Sequence, residues 1–186
     1  NIAKDLILTS GNLSTNSSSS IIVAGNVSGT TGVQTGNGRI KMTGNNNTIG
    51  NVTLTSLEIA STGTITAVSD FNLNSTLSTG GLFLTSGIFN DGGYIITITE
   101  GTITGLISSN SGAHISTSNG KIKMTNIANR NLSGVGLSFG NLEIASGTTA
   151  NINVLNSISV KNLILTSGKI TDNGNVITVL NDLTGT

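Results

Sequence analysis

Few residues in this sequence could take part in acid–base, nucleophilic or metal chemistry, and they are scattered. A Ser–His–Asp triad needs a general base, and His114 is the only histidine. Glycosidases need paired carboxylates, and Ca²⁺ sites need clustered ones. The eight acids instead occur singly, mostly in turns: Asp5, Glu58, Asp70, Asp91, Glu100, Glu143, Asp172 and Asp182. The sequence therefore predicts no enzyme activity, no catalytic or metal-binding residue and no cofactor.

The histidine and two of the acids have structural interpretations. His114 stands between two apolar residues in an alternating stretch, so we predict that it faces solvent. Asp91 and Asp172 lie at matching corners, within 90–93 (NDGG) and 171–174 (TDNG). Asp, Asn and Gly favour turns in this pattern, so we interpret both acids as turn residues.

Four Thr-x-Thr pairs raise the alternative of an ice-binding surface, because ice-binding solenoids display flat ranks of such pairs. The pairs are Thr53/Thr55, Thr64/Thr66, Thr97/Thr99 and Thr102/Thr104. Their spacing is irregular, and Thr is also a favourable strand residue. Ice binding therefore requires a fold that aligns these pairs on one face.

Composition excludes several classes of partner. Charged residues make up 9% of the chain, eight basic and eight acidic, so no basic patch could neutralise phosphates. Aromatic residues make up 3%, so base-stacking platforms are lacking and nucleic-acid binding is not expected. No apolar run approaches the ~20 residues that span a bilayer. Without cysteine, neither a disulfide nor a thiolate metal site can form.

The apolar pattern favours an all-β fold over disorder. More than half of the residues are Gly, Ser, Thr or Asn, yet 35% are hydrophobic and the net charge is zero. Disordered chains instead combine low hydrophobicity with high net charge. Apolar residues fall in short stretches of period-2 alternation bounded by turn residues, which is typical of strands. No stretch shows the spacing of an amphipathic helix.

Three repeated phrases favour a solenoid over a sandwich or barrel. They are GRIKMT at 38–43 and GKIKMT at 120–125, LEIAS at 57–61 and 142–146, and Leu-x-Leu-Thr-Ser-Gly at 6–11, 82–87 and 163–168. A sandwich places unlike strands in unlike surroundings, whereas every coil of a solenoid has the same neighbours above and below. We therefore predict a parallel β-helix (β-solenoid) of about nine coils of roughly 20 residues each.

The phase of the phrases predicts one domain with internal units. We predict a single solenoid domain over 1–186, with repeat units at about 1–81 and 82–162 and a partial third unit at 163–186. Solenoids protect their end coils with a helix, a charged edge or Pro, because a bare strand edge pairs with other chains. The sequence carries no such device. We therefore expect head-to-tail association with further copies or continuation in a longer array.

Alternation also assigns the charged residues of the repeated phrases to the outer surface. Lys41 and Glu58 should point outward from neighbouring coils of one face, as should Lys123 and Glu143. We predict that these residues form two inter-coil ion pairs, Lys41–Glu58 and Lys123–Glu143, which help to set the register. The alternative is that the four charges are solvated independently.

The phrases also carry a resemblance to a known group of proteins. The run NLILTSG at 162–168, followed by DNGNVITV at 172–179, resembles the Ser/Thr/Asn/Gly-rich repeats of large secreted bacterial surface proteins. Such adhesin or fibre repeats are frequent in Bacteroidota, and filamentous-haemagglutinin-like proteins are similar. The resemblance implies a right-handed β-helix, an extracellular or cell-surface location and an adhesin, stalk or fibre role.

The sequence therefore favours a structural function. We expect a β-solenoid segment of an extracellular bacterial filament, fibre or adhesin stalk, with further copies of itself as partner and surface glycans as a second possible partner. One alternative is a β-helix that binds or cleaves glycans, which would need aromatic platforms or clustered carboxylates on one face. The other alternative is the ice-binding solenoid.

Overall fold

The chain folds as a β-solenoid in which parallel strands stack from coil to coil. The computed structural model describes residues 4–16, 19–75, 80–105 and 113–185. Those residues form 22 strands and no helix, and therefore no helix of a length and hydropathy that could cross a membrane. The strands are β1 Leu6–Leu8, β2 Asn12–Thr15, β3 Ser20–Val23, β4 Val27–Gly29, β5 Val33–Gly36, β6 Arg39–Met42, β7 Asn47–Gly50, β8 Thr53–Leu54, β9 Ser56–Ala67, β10 Phe71–Asn74, β11 Gly81–Asn90, β12 Ile95–Thr99, β13 Thr102–Gly105, β14 Ala113–Ile115, β15 Lys121–Met124, β16 Arg130–Ser133, β17 Ser138–Ala145, β18 Asn151–Val154, β19 Ile158–Ser167, β20 Lys169–Thr171, β21 Ile177–Val179 and β22 Leu183–Gly185.

The strand pairings define three faces. Face 1 contains β1, β4, β7, the second part of β9, the second part of β11, β14, the first parts of β17 and β19, and β21. Face 2 contains β2, β5, β8, β10, β12, β15, the second parts of β17 and β19, and β22. Face 3 contains β3, β6, the first parts of β9 and β11, β13, β16, β18 and β20.

The chain visits faces 1, 2 and 3 in that order on every turn. Four long strands, β9, β11, β17 and β19, pass round a corner and contribute to two faces each. The path makes about eight turns, close to the predicted nine coils, and all pairings in the described residues are parallel. The predicted parallel β-helix is confirmed.

Alternation along each strand divides core from surface, as the sequence predicts. Ile40 and Met42 of β6 are fully buried, and Arg39 and Lys41, which alternate with them, lie on the outside. Each fully buried aliphatic side chain of this kind contributes about 1.5–3 kcal/mol relative to an exposed position. Because every coil places such side chains over those of the coil below, one hydrophobic core runs along the solenoid.

The repeated phrases do not return to the same face. GRIKMT forms β6 on face 3, whereas GKIKMT forms β15 on face 2. The Leu-x-Leu-Thr-Ser-Gly phrase begins on face 1 at β1, on face 3 at β11 and on face 2 at β19. With each long strand counted once per face, successive copies are eleven strand segments apart.

The repeat is therefore three and two-thirds turns long, whereas predicted units at 1–81 and 82–162 with coils of roughly 20 residues imply about four turns. Each turn has three segments, so a repeat of eleven segments falls one segment short of four full turns. Each copy therefore begins one face earlier than the copy before. A strand meets the same kind of neighbours above and below on any of the three faces, so the phrase works equally well on each.

Candidate functional site

The first charge cluster, which consists of Arg39, Lys41, Glu58 and Thr85, lies on the outside of face 3. Glu58 of β9 accepts contacts from the coil below and from the coil above. Lys41 Nζ lies 2.8 Å from Glu58 Oε1, and Arg39 Nη1 lies 3.1 Å from Glu58 Oε2. Thr85 Oγ1 donates to Glu58 Oε1 at 3.1 Å from the other side. The cluster therefore connects three successive coils.

These contacts cover the carboxylate and keep it ionised. The side chain of Glu58 is only 6% exposed, although it lies on the outer surface as predicted. Burial raises the pKa of Glu58, but Lys41, Thr85 and Arg39 together hold that pKa below its ordinary value. An acid in this state holds charged neighbours in place and is poorly suited to donate a proton near neutral pH.

An aromatic contact completes the first charge cluster. The guanidinium carbon of Arg39 lies 3.9 Å from the centroid of the Phe83 ring. Phe83 stands directly opposite Glu58 in the next coil. Arg39 therefore makes a cation–π contact and an ion pair at once, which the planar guanidinium can do and an ammonium group does less well.

The second charge cluster, which consists of Lys121, Lys123, Glu143 and Thr166, repeats this arrangement on face 2. Lys121 Nζ lies 2.6 Å from Glu143 Oε2, and Lys123 Nζ lies 3.0 Å from Glu143 Oε1. Thr166 Oγ1 donates to Glu143 Oε1 at 3.0 Å. Burial raises the pKa of Glu143, and the lysines and Thr166 more than offset it, so the net pKa is lowered.

The structure thus joins the four residues that the sequence singled out in two separate pairs, one in each cluster. Lys41 pairs in register with Glu58, and Lys123 with Glu143. Sequence reasoning missed the additional cation in each cluster, Arg39 or Lys121, and the threonine of the following coil. The signal was present, because both sit at fixed places in the repeated phrases.

The prediction that His114 faces solvent is wrong. The side chains of His114 and Asp91 are both fully buried, with His114 Nε2 3.2 Å from Asp91 Oδ2. The His114 ring lies between Phe89 and Phe139, with centroid distances of 5.9 and 6.3 Å. Local alternation predicted exposure because it cannot reveal a hydrogen-bond partner in another coil. Asp91, one coil below, is that partner and allows the imidazole to be buried.

Asp91 is more than the turn residue that the sequence predicts. Its Oδ1 accepts hydrogen bonds from the amides of Gly93 and Thr117, both at 3.0 Å. The first of these is the expected turn contact, and Asp172 makes the same contact to Gly174 at 3.0 Å. Burial raises the pKa of Asp91, but His114 and the other donors outweigh it and the net pKa is lowered.

A second buried polar side chain, Gln34, occupies the corresponding place in the first repeat. β5 and β14, which carry Gln34 and His114, are eleven segments apart. Gln34 Nε2 donates to Thr15 Oγ1 of the coil below at 2.6 Å. Gln34 Oε1 accepts from the amide of Thr55 in the coil above at 2.7 Å. Sequence reasoning missed this residue, although Gly-Val-Gln at 32–34 aligns with Gly-Ala-His at 112–114 ahead of the repeated phrases.

The Thr-x-Thr pairs do not form one rank. Thr64 and Thr66 lie on face 1, Thr53 and Thr97 on face 2, and Thr102 on face 3. On face 2, Asn72 of the intervening coil separates Thr53 from Thr97. An aligned flat threonine face, which ice binding requires, is therefore not formed by these pairs.

An open polar groove of about 510 Å³ lies on face 2 beside the second charge cluster. Its lining includes Lys121, Asn141, Asn162, Ile164 and Asp182. Asn162 Nδ2 donates to Asn141 Oδ1 at 2.7 Å, and Asn141 Nδ2 donates to the Gly120 carbonyl at 2.8 Å, so these amides connect successive coils. Among the described residues, no group of three or more His, Cys, Asp or Glu side chains could hold a metal ion.

These features define a three-faced β-solenoid in which the charge cluster and the buried polar pair of the first repeat each have an equivalent in the second. The sequence matches no protein-family model, no curated protein and no solved structure. The assignment to the β-solenoid class accordingly depends on the strand pairings.

Proposed function

We propose that this domain is a structural segment of an extracellular bacterial filament, fibre or adhesin stalk. The observation that carries the proposal is the parallel ladder on each face, which reaches both ends of the described chain with strands paired on one side only. β1, β2 and β3 pair only upward, and β20, β21 and β22 pair only downward. In a rod these strands pair with the next segment, from a second copy or from the same polypeptide.

Apolar exposure at the last coil supports end-to-end pairing. Val176, Leu180 and Leu183 are each more than 60% exposed, and Ile7 of the first coil is 64% exposed. A further coil stacked on either end would place strands about 4.8 Å away and extend the core. The resemblance to secreted surface repeats, carried by NLILTSG at 162–168 and DNGNVITV at 172–179, supports the extracellular location and the bacterial origin.

Two measurements test this function. Antibodies raised against the folded domain should label long structures on intact producing cells, and labelling only after lysis would contradict the extracellular role. Electron microscopy of concentrated purified domain should show rods much longer than one chain, with a meridional repeat near 4.8 Å. Discrete particles that each contain one polypeptide would contradict end-to-end pairing, if they are seen both for the domain and for a tandem fusion of two copies.

The face 2 groove favours glycan binding as a second candidate function. Asn141 and Asn162 offer both donors and acceptors to hydroxyl groups, and Ile164 offers an apolar contact. Lys121 and Asp182 lie among the lining residues, so the groove suits a neutral or weakly charged polysaccharide. Its volume lies within the 300–1,000 Å³ that is usual for ligand sites.

Calorimetry against neutral oligosaccharides tests this candidate. Asn162→Leu should abolish binding, because it removes the side-chain amide that would donate and accept hydrogen bonds in the groove. Asn153→Leu, at a half-buried asparagine of β18 on face 3, is the matched control and should bind normally. Equal loss in both variants, or no binding by the wild type, would remove glycan binding as a function of this groove.

A further inference from the structure

The two buried polar pairs occupy equivalent places but differ in chemistry. Each lies inside the solenoid and links three coils through one side chain. Gln34 links the Thr15 hydroxyl below to the Thr55 amide above. His114 links the Asp91 carboxylate below to the Gly140 amide above, which donates to His114 Nδ1 at 3.3 Å. Only the pair in the second repeat can titrate.

The hydrogen bonds fix the protonation state of the second pair. Since Nδ1 of His114 accepts a hydrogen bond from an amide, it carries no proton, and the ring proton must sit on Nε2. The Nε2–H group then donates to the ionised Asp91 carboxylate. A second proton on Nδ1 would face the Gly140 N–H group and break that contact. The folded pair is therefore a neutral imidazole beside a carboxylate.

The surroundings leave the pair little freedom to adjust. A Cβ atom at Gly120 would lie 2.1 Å from Asp91 Oδ1, and one at Gly140 would lie 2.4 Å from the Ser116 amide nitrogen. The aromatic rings of Phe89 and Phe139 occupy the space below and above the imidazole. A protonated ring could not turn toward water without opening the local coils.

Asp91 is the charged group that contacts the imidazole. It directly follows β11 in the coil below, and Ser116, two residues after His114, adds a neutral hydrogen bond to that carboxylate. The segment above, at the start of β17, contributes Phe139 and the Gly140 amide, neither of which titrates. Burial lowers the pKa of His114, and Asp91 offsets that effect only in part.

We propose that the Asp91–His114 pair is an acid-sensitive break point in the second repeat, whereas the Thr15–Gln34 pair keeps the equivalent coils of the first repeat insensitive to the same change in pH. Solenoid coils contact only their neighbours, so a local opening can occur without unfolding the whole rod. In the open state His114 can bind a second proton on Nδ1, whereas in the closed state the Gly140 amide occupies that position. Opening therefore becomes easier as the pH falls.

The pH window follows from linkage. His114 has a lowered pKa in the fold, so its contribution to stability is present above the ordinary value of 6.5 and is lost as the pH falls below it. Glu58 and Glu143 have an ordinary value of 4.5 and a lowered pKa in the fold. They act only at lower pH, and one lies in each repeat. Between pH 6.5 and pH 4.5, His114 is therefore the group that makes the stability of the second repeat depend on pH differently from that of the first.

Native-state hydrogen exchange of the intact domain tests the proposal. After correction for intrinsic exchange, opening at the Gly140 amide should rise up to about tenfold per pH unit below 6.5, as expected for uptake of one proton. Opening at the Thr55 amide, which contacts Gln34, should stay constant. Equal pH dependence at both amides would overturn the proposal.

Two variants separate this effect from general acid weakening. His114→Gln places the side chain of the first repeat in the second, and it should abolish the pH dependence at Gly140. The double variant Thr15→Asp with Gln34→His should transfer the dependence to Thr55. If neither variant folds, ¹⁵N chemical shifts of wild-type His114 decide, because the Nε2–H tautomer must persist below pH 6. Protonation of His114 near pH 6.5 without local opening would overturn the proposal.

Discussion

The two charge clusters perform the same task with different side chains on different faces. The first, on face 3, combines Arg39 with the Phe83 ring. The second, on face 2, has Lys121 at the arginine position and Ile164 at the phenylalanine position. Both keep a glutamate that accepts from two cations and from a threonine. The glutamate is common to both clusters and holds the register between coils. The partner cation and the residue opposite the glutamate differ from one face to the other.

The largest expected effect is the loss of the shared glutamate. Glu58→Gln and Glu143→Gln should each lower the free energy of unfolding by about 1–3 kcal/mol at pH 7, because the cations lose a charged acceptor and the amide satisfies fewer contacts. Urea denaturation followed by two probes measures this change. The exposed Asp182→Asn is the matched control and should stay within about 0.5 kcal/mol of wild type. A loss in only one cluster would show that the two are not equivalent.

The pH dependence of the same variants sharpens the comparison. Both glutamates have a lowered pKa in the fold, so their stabilisation is complete above 4.5 and is lost as the pH falls through the lowered value. Wild-type stability should therefore fall in this acid range, and each Gln variant should fall less steeply. Parallel curves for wild type and both variants would contradict the ionised state of these carboxylates.

A smaller effect should distinguish the clusters. Arg39→Lys should cost about 0.5–1 kcal/mol, since an ammonium group stacks less well on Phe83. Lys121→Arg should change stability little, because Ile164 offers no aromatic face. In a double-mutant cycle, Arg39→Lys should cost less when Phe83→Ile is already present. An unchanged cost would show that the ring contact contributes nothing.

The smallest effect concerns salt. The cations of both clusters are about a quarter to a third exposed, and their glutamates are nearly covered. Raising NaCl to about 1 M should therefore weaken each cluster by less than about 1 kcal/mol. Wild type and the two Gln variants, compared in urea at both salt concentrations, measure this. A salt effect as large as that of Glu58→Gln would indicate that the ion pairs are solvated.

Local patterns were sufficient for the fold and for part of the candidate site. Alternation in residues such as Ile40 and Met42 predicted buried positions, and the repeated phrases predicted coils that stack in parallel. The pairing of Lys41 with Glu58 followed from the same logic, since stacked strands place equivalent positions side by side. These inferences need only neighbours within a strand or one coil away.

Buried contacts between residues that are not in register could not be predicted in this way, even when the residues lie in neighbouring coils. His114 looked exposed because its apolar neighbours suggested the opposite phase, and only the stacking of β14 on β11 brings Asp91 to the imidazole. The groove on face 2 likewise depends on residues from four successive coils. No local propensity encodes such contacts.

By itself, the sequence determined that this chain forms parallel coils, because a period of two and repeated phrases leave few other ways to bury its aliphatic residues. Only the tertiary structure decided on which face each copy of a repeated phrase lies. Three segments complete a turn while eleven complete a repeat, so each copy of a phrase begins on the face that precedes that of the copy before. The same packing decided that one repeat encloses a neutral amide and the other a titratable histidine, because burial and hydrogen bonding come from the coils above and below.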